Sequence, residues 1–281
     1  MFSIHNDELI DNNTPFISSD NRSFRYGDGL FESIRVINGK PFLLSKHIER
    51  IQNDMALLKM ESDSMISFEN IQEKINLLCE KNNIEQGARV KLSVYRNAGG
   101  LYTPDTNSVS YFLEANMHQD NLFLLNKKGL DIDVYNDIKK PLNKLSSIKS
   151  NNSLIYVLGS IYKKQKGLDD CLLLNEENNI SETTNANIFM VTENKIYTPG
   201  LDQACLSGTM RKLIIKLARE SGYKIYECNL KTEDLIQADE LFLTNAISGI
   251  KWVSGFRKKR YFKNVSTKLI SKLNEFASQS I

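Results

Sequence analysis

The clearest alternation of apolar and polar positions lies near the start of the chain. Residues 31–37 alternate, Asn38-Gly39 supplies turn residues that tolerate a positive φ, and residues 41–44 return as a second apolar run. This pattern predicts a β-hairpin. Apolar residues then recur at intervals of three and four, which predicts a helix that Ser45 caps at its N-terminus. These apolar positions are Ile48, Ile51, Met55 and Leu58.

The segment that follows the first helix predicts one more helix and two strands. The helix is expected over residues 68–81, and the strands over residues 89–95 and 108–113. A polar stretch at residues 116–121 then separates these strands from the remainder. We therefore predict a small N-terminal α/β domain over residues 1–117 and a larger C-terminal domain over residues 118–281.

The C-terminal part alternates between the two periodicities. The predicted strands cover residues 129–134, 171–175, 187–192, 195–198 and 242–245. The predicted helices cover residues 153–166, 209–221 and 265–279. The mixture predicts the α/β class for the chain as a whole.

Composition narrows the possible functions. The chain has 281 residues, with 36 Lys and Arg against 34 Asp and Glu, and the two signs are well mixed. A basic surface of the kind that binds nucleic acid is therefore not expected. Four widely spaced cysteines and only three histidines favour neither a disulfide framework nor a metal site. The sequence shows no signal-peptide pattern and no apolar run of membrane-spanning length, so we expect a cytoplasmic protein that does not act at a membrane.

Five short motifs carry most of the information about chemistry. They are Tyr26–Glu32, His47–Arg50, Lys149–Asn152, Glu182–Phe189 and Leu206–Arg211. The third motif offers a lysine, and the fourth places a carboxylate and an asparagine before an apolar strand. A lysine amine forms an imine with an aldehyde, and a carboxylate keeps a pyridine nitrogen protonated. These two groups are what a pyridoxal phosphate enzyme needs.

In this order, the five motifs resemble those of the class IV aminotransferase family, the fold-type IV pyridoxal phosphate enzymes. The resemblance extends over roughly residues 20–253. The family contains branched-chain and D-amino-acid aminotransferases and aminodeoxychorismate lyase. The resemblance implies a two-domain α/β fold of type IV, with a pseudo-barrel sheet in the larger domain. It also implies that pyridoxal 5′-phosphate sits between the domains and that the protein is a homodimer.

The resemblance gives the two catalytic residues their roles. Lys149 is expected to hold the cofactor covalently and then to move protons, and Glu182 to pair with the pyridine nitrogen. On chemistry alone, most lysines in a lysine-rich chain are solvated surface groups, and Lys140 lies close by. The family keeps an asparagine three residues after its lysine. Asn152 stands at that distance from Lys149, which favours Lys149 over Lys140 as the lysine that holds the cofactor. The alternative for Glu182 is an ordinary acidic residue in a turn. This interpretation suits Glu176 and Glu177, which precede it in the chain, better.

The cofactor phosphate is expected at the start of the helix that Ser207–Met210 opens. Free backbone N–H groups and the helix dipole favour a dianion there, although an ordinary helix N-terminus would look the same in sequence. The resemblance adds Arg50, which without it would be taken as a surface helix residue. The predicted cofactor-binding residues are Arg50, Lys149, Glu182, Asn187, Ser207, Gly208, Thr209, Met210, Thr244 and Asn245.

Substrate recognition is predicted from aromatic residues and one arginine. The predicted substrate residues are Tyr26, Phe31, Arg96 and Tyr102, with Tyr95 and Trp252 as further aromatic candidates. Most aromatic residues belong to protein cores, which is the competing interpretation. Relatives that act on D-amino acids have an arginine where this chain has Leu101 and a histidine where it has Thr103. Losing both removes a clamp for a substrate carboxylate and argues against D-amino-acid transamination.

Two reactions remain open at this point. We predict amino transfer from an L-amino acid, with branched-chain amino acids as candidates, to a 2-oxo acid, because Glu32 resembles the aminotransferases. Residues 197–204 and 237–240 resemble aminodeoxychorismate lyase, which releases pyruvate and 4-aminobenzoate from 4-amino-4-deoxychorismate. Both reactions begin with loss of the same Cα proton, so the cofactor motifs do not separate them. A non-catalytic binding module is a third interpretation, disfavoured by the intact Lys149 and Glu182.

Overall fold

A computed structural model describes residues 1–61 and 64–280, which form two compact units. The first unit contains Met1–Leu122 and Lys149–Asn152. The second contains Phe123–Ile148 and Ser153–Gln279. The predicted domain division after residue 117 stays a prediction.

An antiparallel sheet of six strands forms the centre of the first unit, in the order β2-β1-β6-β5-β3-β4. Its strands are β1 (Phe2–His5), β2 (Glu8–Asp11), β3 (Gly29–Ile37), β4 (Lys40–Pro41), β5 (Ala88–Arg96) and β6 (Val109–Met117). On β3, Leu30, Glu32 and Ile34 alternate with half-buried residues and are completely buried. One carboxylate therefore stands on the core face of β3 between two aliphatic side chains.

The predicted hairpin is confirmed as β3 and β4, although β4 ends at Pro41, and the predicted cap at Ser45 is wrong because the N-cap is Leu43, two residues earlier. Asn38 and Gly39 have φ values of 48° and 74°, the conformation that a two-residue hairpin turn requires. The helix begins at Leu44, and Leu43 precedes it with a φ of 55°. This left-handed residue turns the chain sharply, which lets both Phe42 and Leu44 reach the core.

Three α-helices complete the described part of the first unit: α1 (Arg22–Tyr26), α2 (Leu44–Leu57) and α3 (Phe68–Lys81). The bounds of α3 agree with the prediction. It begins where the Ser67 side chain accepts a hydrogen bond from the Asn70 backbone N–H at 3.2 Å. Ile71, Ile75 and Leu78 form its buried face.

The second unit is built on a nine-stranded mixed sheet. Eight strands follow the order β12-β11-β10-β13-β14-β7-β8-β9, and β15 pairs with β14. The strands are β7 (Leu130–Lys140), β8 (Asp170–Asn175), β9 (Ile180–Thr183), β10 (Asn187–Thr192), β11 (Lys195–Pro199), β12 (Lys224–Cys228), β13 (Glu240–Asn245), β14 (Gly249–Phe256) and β15 (Lys259–Arg260). β9 ends this order, yet it also contacts β10 and β11 near the other end. The sheet therefore curls towards closure, as expected for a pseudo-barrel.

Four helices accompany this sheet: α4 (Leu154–Lys166), α5 (Thr209–Glu220), α6 (Thr232–Gln237) and α7 (Asn264–Ser280). The three predicted helices correspond to α4, α5 and α7, whereas α6 and several short strands were not predicted. The main apolar cluster of the second unit draws on β7, β8, β10, β13 and β14 and includes Ile132, Leu172, Ile188 and Leu241. α5 packs against β12 and β13.

Among the helices at residues 1–61 and 64–280, none has the length and apolar character needed to cross a membrane.

Candidate active site

Lys149 is held beside β3 in the first unit. The Phe31 N–H donates to the Lys149 carbonyl oxygen at 2.9 Å, and the Asn151 N–H donates to the Gly29 carbonyl oxygen at 2.9 Å. The Lys149 N–H in turn donates to Asp54 Oδ2 at 3.2 Å. These bonds attach the lysine segment to β3 through an isolated antiparallel bridge between Leu30 and Ser150. The Lys149 Nζ lies 4.2 Å from the centre of the Phe31 ring.

The glycines of the first motif make room for the lysine motif. A Cβ on Gly27 would lie 2.5 Å from Asn152 Oδ1, and one on Gly29 would lie 2.6 Å from Asn151 Nδ2. Gly27 also has a φ of 67°. Asn152 Nδ2 donates to the Gly27 carbonyl oxygen at 3.2 Å. Two motifs that are far apart in sequence therefore form one packed element, which fixes the backbone of Lys149.

Glu32, on the core face of β3, gathers two side chains of α2. Arg50 Nε donates to Glu32 Oε1 at 2.6 Å, Arg50 Nη2 binds Glu32 Oε2, and His47 Nδ1 lies 2.7 Å from Glu32 Oε2. Burial opposes the charge of Glu32, but Arg50 and His47 more than offset it and lower the pKa of Glu32 to about 2. The contact between Arg50 and a phosphate stays a prediction, and Glu32 fixes the orientation of its guanidinium.

Arg96 is buried and engaged by its neighbours in the first unit. Its Nε donates to Asp28 Oδ2 at 2.9 Å, its Nη2 donates to the Leu58 carbonyl oxygen at 2.7 Å, and its Nη1 binds the Asn107 side chain. Asp28 Oδ2 also accepts from Arg22 Nε at 2.9 Å. These contacts give Arg96 a supporting role in the fold, and direct substrate binding by Arg96 stays a prediction.

The structure groups some of the predicted aromatic residues and separates others. Tyr26 and Tyr102 have ring centroids 5.6 Å apart, and Tyr102 is 90 % exposed. Tyr95 is instead buried, with its hydroxyl 2.8 Å from His5 Nε2. In the second unit, Trp252 donates from Nε1 to the Asn126 carbonyl oxygen at 2.8 Å. Tyr26 and Tyr102 are therefore accessible, whereas Tyr95 is engaged within the first unit, and substrate binding by Tyr26 and Tyr102 stays a prediction.

Glu182 is buried on β9 of the second unit and has three donors. Lys140 Nζ binds its Oε1, Tyr156 Oη donates to Oε1 at 2.8 Å, and the Leu206 N–H donates to Oε2 at 3.0 Å. Lys140 and Glu182 are 3 % and 4 % exposed. Sequence reasoning missed Lys140 and Tyr156. No periodic signal marks Lys140, because the register of β7 shifts between Tyr135 and Lys140.

The start of α5 has the features of an anion site. α5 begins at Thr209 with no side chain capping its N-terminus, and its first turn has no acidic residue. Asn187 lies directly opposite Thr244 in the sheet and donates from Nδ2 to the Leu206 carbonyl oxygen at 2.9 Å. A Cβ on Gly208 would collide with Asn187 Oδ1. Asn187 therefore links the end of β13 to the turn that precedes α5.

Two buried hydroxyls lie in this region. Thr209 Oγ1 and Thr244 Oγ1 have no hydrogen-bond partner among the residues that the structure describes, and both residues are at most 4 % exposed. Such groups destabilise a fold unless a ligand or water satisfies them. Asn245 Oδ1 accepts from the backbone of Ile247 and Ser248 and shapes the turn after β13. Met210 is buried in the core.

The family model described as amino-transferase class IV matches residues 29–255, most of the chain. The chain belongs to this family. A Methanocaldococcus jannaschii protein named "Putative branched-chain-amino-acid aminotransferase" is 30 % identical over 87 % of this chain and 84 % of its own. An aminodeoxychorismate lyase of Vibrio harveyi is 27 % identical over 83 % of this chain and 85 % of its own. Relatives of this chain are therefore named both as aminotransferases and as lyases.

The fold of this class IV family member agrees with solved structures. The branched-chain amino acid aminotransferase of Escherichia coli matches with a TM-score of 0.88 at 21 % identity, over 98 % of this chain and 94 % of the other. This likeness confirms the predicted two-domain α/β fold of type IV. Within the part of the chain that the structure describes, no group of three or more His, Cys, Asp or Glu side chains is placed to hold a metal ion.

Proposed function

We propose that this protein is a pyridoxal 5′-phosphate-dependent transaminase that moves the amino group of an L-amino acid to a 2-oxo acid. The single observation that carries the proposal is a pair of buried hydroxyls, Thr209 Oγ1 at the start of α5 and Thr244 Oγ1 on β13, that have no hydrogen-bond partner among the described residues. Thr209 lies in the motif where the family resemblance expects a phosphate, and Thr244 lies opposite Asn187, which binds the turn before α5. The residues present therefore fit this cofactor.

The second unit supplies the groups for the phosphate and for the ring nitrogen. The backbone N–H groups of Thr209 and Met210 would hold the phosphate with the Thr209 and Thr244 hydroxyls, whereas those of Ser207 and Gly208 already donate to the Ser147 and Leu206 carbonyl oxygens at 3.5 Å and 2.8 Å. Asn187 fixes the geometry of that turn. The carboxylate of Glu182 would accept a hydrogen bond from the ring nitrogen. When bound, the cofactor withdraws electrons from the substrate Cα so that its proton can leave. Arg50 and Asn245 complete the proposed cofactor contacts.

Lys149 would hold the cofactor aldehyde through its amine and then carry the proton that leaves the substrate Cα. Its backbone is fixed to β3 by the hydrogen bonds of Phe31 and Asn151. The Lys149 Nζ lies 4.2 Å from the centre of the Phe31 ring, so this ring contacts one side of the amine. Imine formation requires the amine in its neutral form.

The proposed substrates are amino acids with an apolar side chain. Tyr26, Phe31 and Tyr102 offer aromatic surface, and Leu101 stands where relatives that act on D-amino acids have an arginine. Branched-chain amino acids fit this surface, and one relative carries a branched-chain aminotransferase name. Arg96 would influence the substrate site indirectly, because its guanidinium holds the side chains of Asp28 and Asn107 in place.

A second candidate function is that of 4-amino-4-deoxychorismate lyase, which releases pyruvate and 4-aminobenzoate. The name of the Vibrio harveyi relative supports it, as do residues 197–204 and 237–240. The same Lys149, Glu182 and phosphate site would serve this reaction, because it begins with the same proton loss.

Two incubations separate the candidates. Mixing the holoenzyme with a panel of L-amino acids and no acceptor should convert the cofactor to pyridoxamine 5′-phosphate and release one equivalent of 2-oxo acid. Continuous pyruvate release from 4-amino-4-deoxychorismate without an added 2-oxo acid would instead support the lyase. If no amino acid changes the absorbance of the cofactor, the transaminase proposal is wrong.

We further propose a homodimer in the cytoplasm. α4 displays an exposed apolar face at helical spacing, formed by Leu154, Val157, Leu158 and Ile161. Free cysteines, three of them buried, suit a reducing compartment. Light scattering should give the mass of a dimer for the wild type and a smaller mass for Ile161→Glu. Ile236→Glu, on the exposed side of α6, is the matched control. A wild type that runs as a monomer would contradict the dimer.

A further inference from the structure

Lys140 and Glu182 form a buried ion pair. The function proposed above gives a role to Glu182 but none to Lys140. The two side chains are 3 % and 4 % exposed, and the ammonium binds Glu182 Oε1. Lys140 Nζ also donates to Tyr156 Oη at 2.9 Å and to the Ser146 carbonyl oxygen at 3.4 Å. All three N–H donors of the ammonium are therefore used. A charged pair buried this deeply is costly unless it is well hydrogen-bonded, and here the ammonium uses every donor it has.

The two oxygens of Glu182 differ in what they can still accept. A carboxylate offers about four acceptor positions, two on each oxygen. Oε1 receives both Lys140 and Tyr156, so it is full. Oε2 receives only the Leu206 N–H, at 3.0 Å, among the residues that the structure describes. One acceptor position therefore remains on the carboxylate, and it belongs to Oε2.

We propose that Lys140 is a positioning residue that keeps Glu182 ionised and turned so that Oε2 accepts the hydrogen bond of the protonated pyridine nitrogen. This inference rests on the proposed function, since it requires the cofactor ring to face Glu182. It assigns a separate task to each oxygen: Oε1 binds the ammonium, and Oε2 binds the cofactor.

Two opposing electrostatic effects decide whether the lysine helps. Its charge attracts the Glu182 carboxylate and repels a proton on the pyridine nitrogen. Coulomb energy falls with distance, and the ammonium contacts the carboxylate directly, whereas a ring nitrogen bound at Oε2 would be farther from the ammonium than the carboxylate is. The attraction is therefore the larger effect. A proton shared between Glu182 and the ring is driven towards the ring, which is the state that accepts electrons.

The other groups that face Glu182 do not replace this charge. Burial and the nearby Glu182 raise the pKa of Tyr156 on α4, so Tyr156 stays a neutral donor. Burial raises the pKa of the Cys205 thiol, in the segment before α5, to about 11. On the neighbouring β8, Asp170 is bound by Lys163 and by the Thr184 hydroxyl. Arg211 on α5, which interacts with Cys205, is held by Glu227 and the Pro199 carbonyl oxygen.

Nitrogen NMR of the bound cofactor tests the proposal without measuring turnover. The holoenzyme is prepared with pyridoxal 5′-phosphate labelled with ¹⁵N in the ring, and the chemical shift of that nitrogen reports its protonation at pH 8. Lys140→Met should lower the ratio of protonated to neutral ring at least about tenfold, which corresponds to one pKa unit of the ring. Lys140→Arg should restore the wild-type shift. Lys139→Met is the matched control, because the same change is made one residue away on β7, and it should leave the shift unchanged.

The outcomes separate this inference from the proposed function. If Lys140→Met keeps the wild-type shift while Glu182→Gln loses it, the role of Lys140 is wrong and that of Glu182 stands. If Glu182→Gln also keeps the shift, the proposed role of Glu182 fails. If Lys140→Met binds no cofactor, thermal unfolding of the apoprotein decides. Pairing predicts that the double variant Lys140→Met, Glu182→Gln loses less stability than the two single losses added together, and additive losses would overturn the proposal.

Discussion

Replacing Glu32 by glutamine tests how the first unit holds Arg50. The carboxyl is completely buried, and its pKa is lowered from 4.5 to about 2 because Arg50 and His47 more than offset the effect of burial. Each pKa unit corresponds to about 1.4 kcal/mol, so the ionised group contributes about 3 kcal/mol to the free energy of unfolding at neutral pH. Glu32→Gln should therefore destabilise the apoprotein by about this amount at pH 7, since Arg50 loses its counter-charge.

The pH dependence of this loss gives a sharper test. Because the pKa of Glu32 is lower in the folded state, the group stabilises the fold above pH 4.5, and this contribution is lost as the pH falls towards about 2. The difference in unfolding free energy between wild type and Glu32→Gln should be constant above pH 6 and should shrink steadily between pH 5 and pH 2. Urea unfolding of both proteins at each pH, at fixed ionic strength, measures this difference.

An exposed glutamate on α2, the helix that carries Arg50 and His47, provides the control. Glu49 pairs with Lys46 at the surface, with both side chains more than half exposed, so Glu49→Gln should change the unfolding free energy by at most about 0.5 kcal/mol. If the two variants are equally stable, or if the Glu32→Gln difference does not change with pH, the buried network does not fix Arg50 as described.

Three further variants test the second unit. Thr244→Val should stabilise the apoprotein by about 1 kcal/mol, because it removes a buried hydroxyl without a described partner, and should weaken pyridoxal 5′-phosphate binding about tenfold or more; equal affinity in a cofactor titration would remove Thr244 from the site. Gly208→Ala should displace Asn187 and weaken cofactor binding, and a crystal structure with Asn187 unmoved would refute this reason. Glu182→Gln should keep the cofactor yet slow loss of the substrate Cα proton by orders of magnitude; near-wild-type rates in a stopped-flow measurement would give the ring nitrogen another partner.

Local sequence patterns predicted those elements whose turn residues, cap and apolar face all come from neighbouring residues in the chain. The Asn38-Gly39 turn and the helix from Phe68 to Lys81 needed only turn chemistry, a serine cap and a regular apolar face. The start of α2 was missed because Leu43 adopts a left-handed conformation that leucine rarely takes, imposed by burying the residues on both sides of it.

The candidate site was predictable as motifs and not as contacts. The sequence indicated Lys149 and Glu182, but nothing local links Gly27 to Asn152, because that contact depends on a chain segment folding back onto β3. Lys140 was set aside as a neighbouring lysine. Its place beside Glu182 follows from an irregular strand, which carries no periodic signal.

The most direct test of the account is to find which lysine carries the cofactor. The holoenzyme is reduced with borohydride, digested and analysed by mass spectrometry, so that the covalent link is fixed to its residue. We expect the mass of the reduced cofactor on the peptide that contains Lys149, and Lys149→Ala should lack it. Attachment to Lys140 or to any other lysine, or a wild-type protein that carries no cofactor, would contradict the account.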